Sequence, residues 1–146
     1  MTFIDDIKTR IASKDNPKKV CAVIYARDCR DYKHNLGGSQ IDAGREYIAN
    51  HPNIYLYRIY YDQNDDGSTT HHRINYINML KDIEEDQVEL IITDSPQCLN
   101  TDIHTTAALI RLLLSKKVAI YCLDGHRFCD IGFYDMFKRL ADSRGI

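Results

Sequence analysis

Arg27, Cys29 and Arg30 follow directly on the apolar run Val20–Ala26, with Asp28 and Asp31 interleaved among them. Guanidinium groups bind phosphate and carboxylate oxygens through paired, charge-assisted hydrogen bonds. A thiolate is a nucleophile, favoured by neighbouring cations and opposed by neighbouring carboxylates. A cluster of this kind at the end of a buried strand is suited to holding an anion beside an attacking group. The plainer alternative is that Arg27 pairs with Asp28, Asp31 or Asp62 and that Cys29 has no chemical duty.

Three other polar stretches carry reactive residue types. "QNDDGSTTHHR" holds Asp65, Asp66, His71, His72 and Arg73. Adjacent loop histidines usually point apart, and no third ligand stands at helix or strand spacing, so neither a metal nor any other cofactor is expected. "SPQCLN" offers Ser95, Gln97 and Asn100, polar groups without charge. "DGHRFCD" carries Arg127. The acid clusters Asp65-Asp66 and Glu84-Glu85-Asp86 read as solvated turns, since they lack the spacing of paired catalytic carboxylates.

Each of these stretches follows a run with strand character. "VCAVIYA" is continuous and rich in β-branched residues, the pattern of a central strand buried on both faces. "IYLYRIYYD", "VELIITD" and "KVAIYCLD" are three further strands. The tyrosines of the second read as packing residues rather than base-stacking ones. Helices are predicted over residues 2–13, from Ser39 or Gln40 to before "NHPN", over 73–85, over 105–115 and over 133–142. Thr2 with Asp5 is a capping signal for the first, and its apolar stripe is expected to pack on the domain itself. The order β-α-β-α-β-α-β-α after a leading helix implies an α/β fold: a three-layer α/β/α domain with a mostly parallel central sheet of about four to five strands. Residues 1–18 form a helix and linker, and residues 19–146 the main domain. In such sheets function lies beyond the C-terminal strand ends, where all four reactive stretches fall.

The chain has 146 residues, enough for one core. Its net charge of −2 gives no global signal for nucleic acid, so any DNA contact needs a local patch or a further domain. The five cysteines are odd in number and show no C-x-x-C spacing, and Cys21 and Cys122 read as small core hydrophobes. No secretory leader is visible, and no apolar run approaches the roughly 20 residues that span a bilayer. A reduced, cytoplasmic protein with no membrane partner is expected.

Several of these stretches together resemble the serine recombinase (resolvase/invertase) catalytic domain. "YARDC", Tyr25 to Cys29, is similar to that family's Y-A-R-x-S, with Cys29 at the serine position. "IDAGREYI" resembles its [IL]-x-x-Q-R-x-x-[LI] helix, with Gly44 for the glutamine. "YYDQNDDGSTTHHRINYINML" resembles its strand, Ser-Gly loop and arginine-led helix, and Arg73 matches that arginine. "VELIITDSPQCLNTD" resembles the strand and loop that carry D-R-L-x-R, but neither Pro96–Asn100 nor the register one residue later offers an arginine.

The resemblance implies a resolvase-like domain over Lys19 to about Asp124 whose relatives attack a DNA phosphodiester with serine. It makes Arg27, Cys29 and Arg73 the catalytic set, with Arg27, Arg30 and Arg73 as phosphate ligands and Gln97 and Asn100 as degenerate positions. Loss of a donor aimed at a transition state costs about 3–4 kcal/mol, and two such losses approach ~10⁵-fold in rate. Strand transfer is therefore expected to be dead or crippled unless Arg111 or Arg127 fills the gap. The resemblance also implies DNA as a partner, bound only weakly without a further DNA-binding domain, and a homodimer or a partner recombinase. "FYDMFKRLADSRGI" matches the beginning of the family's long helix. Either a longer protein continues past Ile146 or the natural one lacks the DNA-reading part. A regulatory module or mobile-element remnant, an active recombinase with a divergent site, and a pocket for another phosphate-bearing ligand are all compatible with the residues.

Overall fold

The computed structural model describes residues 2–15, 17–28, 36–63, 73–85, 87–99 and 102–145. Its elements alternate as the sequence predicts: α1 (Phe3–Ala12), β1 (Val20–Arg27), α2 (Gly37–Ala49), β2 (Ile54–Asp62), α3 (Ile74–Glu85), β3 (Leu90–Thr93), α4 (Ile103–Lys116), β4 (Ala119–Cys122), β5 (Arg127–Phe128) and α5 (Ile131–Ser143). The sheet order is β2-β1-β3-β4-β5. All neighbours run parallel except β4 and β5, which form an antiparallel hairpin. The two-residue strand β5 has no separate signal in the sequence, being too short for any period to register.

Every residue of β1 is buried, the consequence of sitting between two strands and under two helix layers. Its side chains alternate between the layers. Ile24 meets α2 so closely that a Cβ on Gly44 would lie 2.9 Å from its Cδ1. Tyr25, pointing the other way, makes an edge contact with Tyr76 of α3. Helices α2 and α3 thus cover opposite faces, as right-handed crossovers on either side of β1 require. The glutamine expected at position 44 by resemblance would have no room here without displacing Ile24.

α1 is docked on the domain. Ile4, Ile7 and Ile11 are buried, and Thr2 and Asp5 form the reciprocal cap that the sequence announces. Asn53 donates to the carbonyls of Arg10, Ile11 and Ser13, closing the helix's C-terminal end. Arg10 donates to both carboxylate oxygens of Glu89. Burial pushes the Glu89 pKa up, but donation from Arg10 and the Cys21 amide outweighs it and holds the group below its ordinary value. This contribution is present above the unfolded carboxylate pKa of about 4.3 and disappears as pH falls through the lower native value. Glu89→Gln should therefore cost about 1 kcal/mol at pH 6 and almost nothing near pH 2, measured by urea unfolding at both pH values.

In β2, Tyr60 is buried and its hydroxyl donates to Asp82 of α3, while Tyr61 donates to Asp28. Tyr55 and Tyr57 remain partly exposed on this edge strand. Tyr57 is an extra residue: Ala22 pairs with Leu56 but Val23 pairs with Arg58, so the edge carries a bulge. The remaining differences from the sequence reading are at helix starts. Asp102 and Asp130 cap α4 and α5 by accepting the amides of Thr105 and Phe133, moving each start two residues earlier than the apolar pattern suggests.

Candidate functional site

The C-terminal end of β1 extends past its β3 pairing, which covers only Ala22–Ile24. On the other side Arg27 pairs with Asp62, the last residue of β2. On the open side the amide of Gln40 takes the place of a strand: its Oε1 accepts the Arg27 N–H at 3.0 Å and its Nε2 donates to the Arg27 carbonyl at 2.7 Å. Gln40 is buried, so this reciprocal pair satisfies groups that water does not reach. The Gln40 contribution escapes a sequence reading because the residue sits in the polar opening turn of α2.

The next residue, Asp28, turns to α2. Its Oδ1 accepts the Gly37 amide at 2.6 Å and the Tyr61 hydroxyl at 2.7 Å. A cap supplied from β1 lets α2 begin at Gly37 rather than at Ser39 or Gln40. Gly37 is required by the approach itself, since a Cβ there would fall 1.9 Å from the Tyr61 ring.

Asp62 acts as the cap of α3. Its carboxylate accepts the amides of Asn75 (2.9 Å) and Tyr76 (3.0 Å) and the hydroxyl of Tyr25 (2.7 Å). Arg73, immediately before α3, is only 1% exposed. Its Nε donates to the Tyr25 hydroxyl at 3.1 Å, and its terminal nitrogen donates to the Cys98 carbonyl. The guanidinium lies 5.4 Å from the Tyr25 ring centre and 4.3 Å from that of Tyr76. Burial holds the Tyr25 phenol far above its usual pKa and pushes that of Tyr76 up to about 12. Arg27 stands two residues after Tyr25 on β1, so strand alternation turns it to the same face of the sheet as Tyr25 and α3.

Beyond β3, Asp94 is fully buried and Ser95 nearly so. Residues Pro96–Cys98 form a single 3₁₀ turn closed by the Cys98 amide on the Ser95 carbonyl. Gln97 is exposed, whereas Cys98 and Leu99 are buried, and burial raises the Cys98 thiol pKa. The described part of this turn therefore presents no cation. Arg111 reaches Asp142 of α5 at 3.3 Å, and Arg127 lies on β5 at the far edge of the sheet from β2. Cys29, Arg30, Asp31, Asp65, Asp66, His71, His72 and Asn100 lie outside the described residues. Among the described residues no group of acidic, histidine or cysteine side chains is arranged to hold a metal.

The family model for the resolvase N-terminal domain matches residues 22–140. The chain belongs to that family. No curated protein matches it. Solved structures share the fold of this resolvase domain at low identity. The N-terminal catalytic domain of TP901-1 integrase is 16% identical with a TM-score of 0.66, over 85% of this chain and 95% of that one. A resolvase family site-specific recombinase from Streptococcus pneumoniae is 14% identical with a TM-score of 0.65, over 86% and 88%. The C-terminal catalytic domain of ISC1926 TnpA, an IS607-like serine recombinase, is 20% identical with a TM-score of 0.58, over 72% and 71%. The match begins at Ala22, within β1, and α1 lies before it.

Proposed function

We propose that this is a serine recombinase domain in which strand transfer is silent and which serves as a regulatory or interaction module beside a partner recombinase. The observation that carries the reading is the use made of Arg73. Its guanidinium is packed against two tyrosine rings and bonded to a tyrosine hydroxyl and a main-chain carbonyl. A phosphate ligand needs those same donors aimed outward at the anion.

The chemistry of the neighbouring positions agrees. If Asp94 stands for the acid of D-R-L-x-R, the two arginine positions fall on Ser95 and Cys98, and in the registers read from the sequence they fall within 96–101. None supplies positive charge. Phosphoryl transfer depends on cations around the transferring oxygens, and a thiolate at position 29 is a poorer nucleophile toward phosphorus than toward carbonyl or sulfur centres. DNA binding by this domain alone is expected to be weak at a net charge of −2.

A second reading, an active recombinase with a divergent site, is favoured by Arg27 standing on the same face of β1 as Tyr25, the residue against which Arg73 packs. One experiment separates the two. Supercoiled plasmid carrying the host element's own ends is incubated with the chain and with its Cys29→Ser variant, and covalent protein–DNA adducts are measured on denaturing gels. The silent domain yields none in either case. An adduct mapping to residue 29 or to Ser95 establishes the active reading.

A further inference from the structure

The geometry points to Cys122 and Cys129 as an oxidation site, a vicinal thiol pair across the β4–β5 hairpin that closes to an intramolecular disulfide under peroxide. This lies outside the recombinase reading and does not depend on it. The two sulfurs are 3.7 Å apart. The hairpin register explains why: Cys122 pairs with Arg127, and the Cys129 amide bonds to the Ile120 carbonyl at 2.9 Å. Cys122 and Cys129 are therefore diagonal neighbours on one face of the hairpin, a spacing at which side chains meet. A disulfide needs sulfurs near 2.05 Å, so closure requires rotation about the side-chain bonds and a small local shift rather than a new fold.

The remaining described thiols are placed differently. Cys21 is the second residue of β1, and its amide donates to Glu89. Cys98 sits in the 3₁₀ turn after β3, its thiol pKa raised by burial. The Cys122–Cys129 pair is polarised. Sharing a hydrogen bond with Cys122 lowers the Cys129 pKa, against burial and with help from Arg127, and raises that of Cys122. Cys129 is also the more exposed partner, at 9% against 1%. It is the thiol that meets the oxidant first.

The reaction balances with peroxide as the co-reactant. The Cys129 thiolate attacks one peroxide oxygen, the sulfur–oxygen bond forms, the oxygen–oxygen bond breaks, and hydroxide leaves to take up a proton as water. The Cys122 thiolate, formed as its proton leaves, then attacks the Cys129 sulfenic acid. The sulfur–sulfur bond forms, the sulfur–oxygen bond breaks, and a second water departs. The product closes the turn Leu123–His126, in which Gly125 and His126 both hold left-handed backbone, and ties β5 and the start of α5 to β4.

The test uses the intact chain, reduced and then treated with hydrogen peroxide, denatured, alkylated and digested after arginine and lysine. Arg127 lies between the two cysteines, so their peptides remain joined only if the bond has formed. The expected result is a linked Cys122–Cys129 pair about 2 Da lighter than the two reduced peptides. Its melting temperature should stand a few degrees above that of the reduced chain. Cys129→Ser abolishes the link, whereas Cys98→Ser and Cys29→Ser retain it. Mapping of the natural chain needs no variant to fold. Full alkylation of both thiols after peroxide, or a link that joins either of them to Cys98 or Cys29, overturns the assignment.

Discussion

Arg73→Met should lower the stability of the domain by about 3–5 kcal/mol, read as a fall in the urea midpoint at unchanged slope. The magnitude follows from what the side chain holds. Removing the guanidinium leaves the Tyr25 hydroxyl without its donor and the Cys98 carbonyl without the bond that anchors the 3₁₀ turn, both away from water. It also strips two tyrosine rings of the cation packed on them. Lysine keeps the charge but not the flat fork, so Arg73→Lys should recover less than half of the loss. An arginine held ready for a substrate behaves differently, since its removal leaves the fold intact or steadies it. A change below about 1 kcal/mol would remove the main support for a silent site.

Asp62→Ala is the second large effect, about 3 kcal/mol by the same measurement. Three donors lose their acceptor: the amides of Asn75 and Tyr76 that open α3, and the Tyr25 hydroxyl. Because Tyr25 donates to Asp62 while accepting from Arg73, the two costs share one hydroxyl. The double variant Asp62→Ala with Arg73→Met should fall short of the sum of the singles by at least about 1 kcal/mol. Strict additivity would mean that Tyr25 does not join them.

The layers, the strand order of appearance and the family were legible because β1 to β4 are apolar runs bounded by polar stretches and because Tyr25-Ala26-Arg27 and Arg73 stand at the right element ends. The strand ends were correctly marked as the place where polar residues gather. What those residues do there was not legible. Asp28 and Asp62 read only as partners for Arg27, and that reading does not reveal that their carboxylates also cap α2 and α3. Arg73 reads as a phosphate ligand, and the sequence does not announce that tyrosines from β1 and α3 pack against it. Gln40 gives no signal at all, since its role depends on β1 outrunning β3 by three residues. Each of these roles is set by pairs distant in the chain, which local pattern does not encode. The cysteine pair is similar: Cys122 reads as core and Cys129 as loop until the hairpin brings them together.

The bulge at Tyr57 bears on how the domain behaves at high concentration. The outer border of β2, a nine-residue edge strand, is a template on which a second chain could build another strand. The additional residue puts the two halves of that border out of phase, so an incoming straight segment can follow only one half at a time. Arg58, next in line and half in solvent, adds a charge that a docking backbone would have to accommodate. Deletion of Tyr57 is expected to straighten the border and promote sheet-to-sheet aggregation, read by light scattering at high concentration.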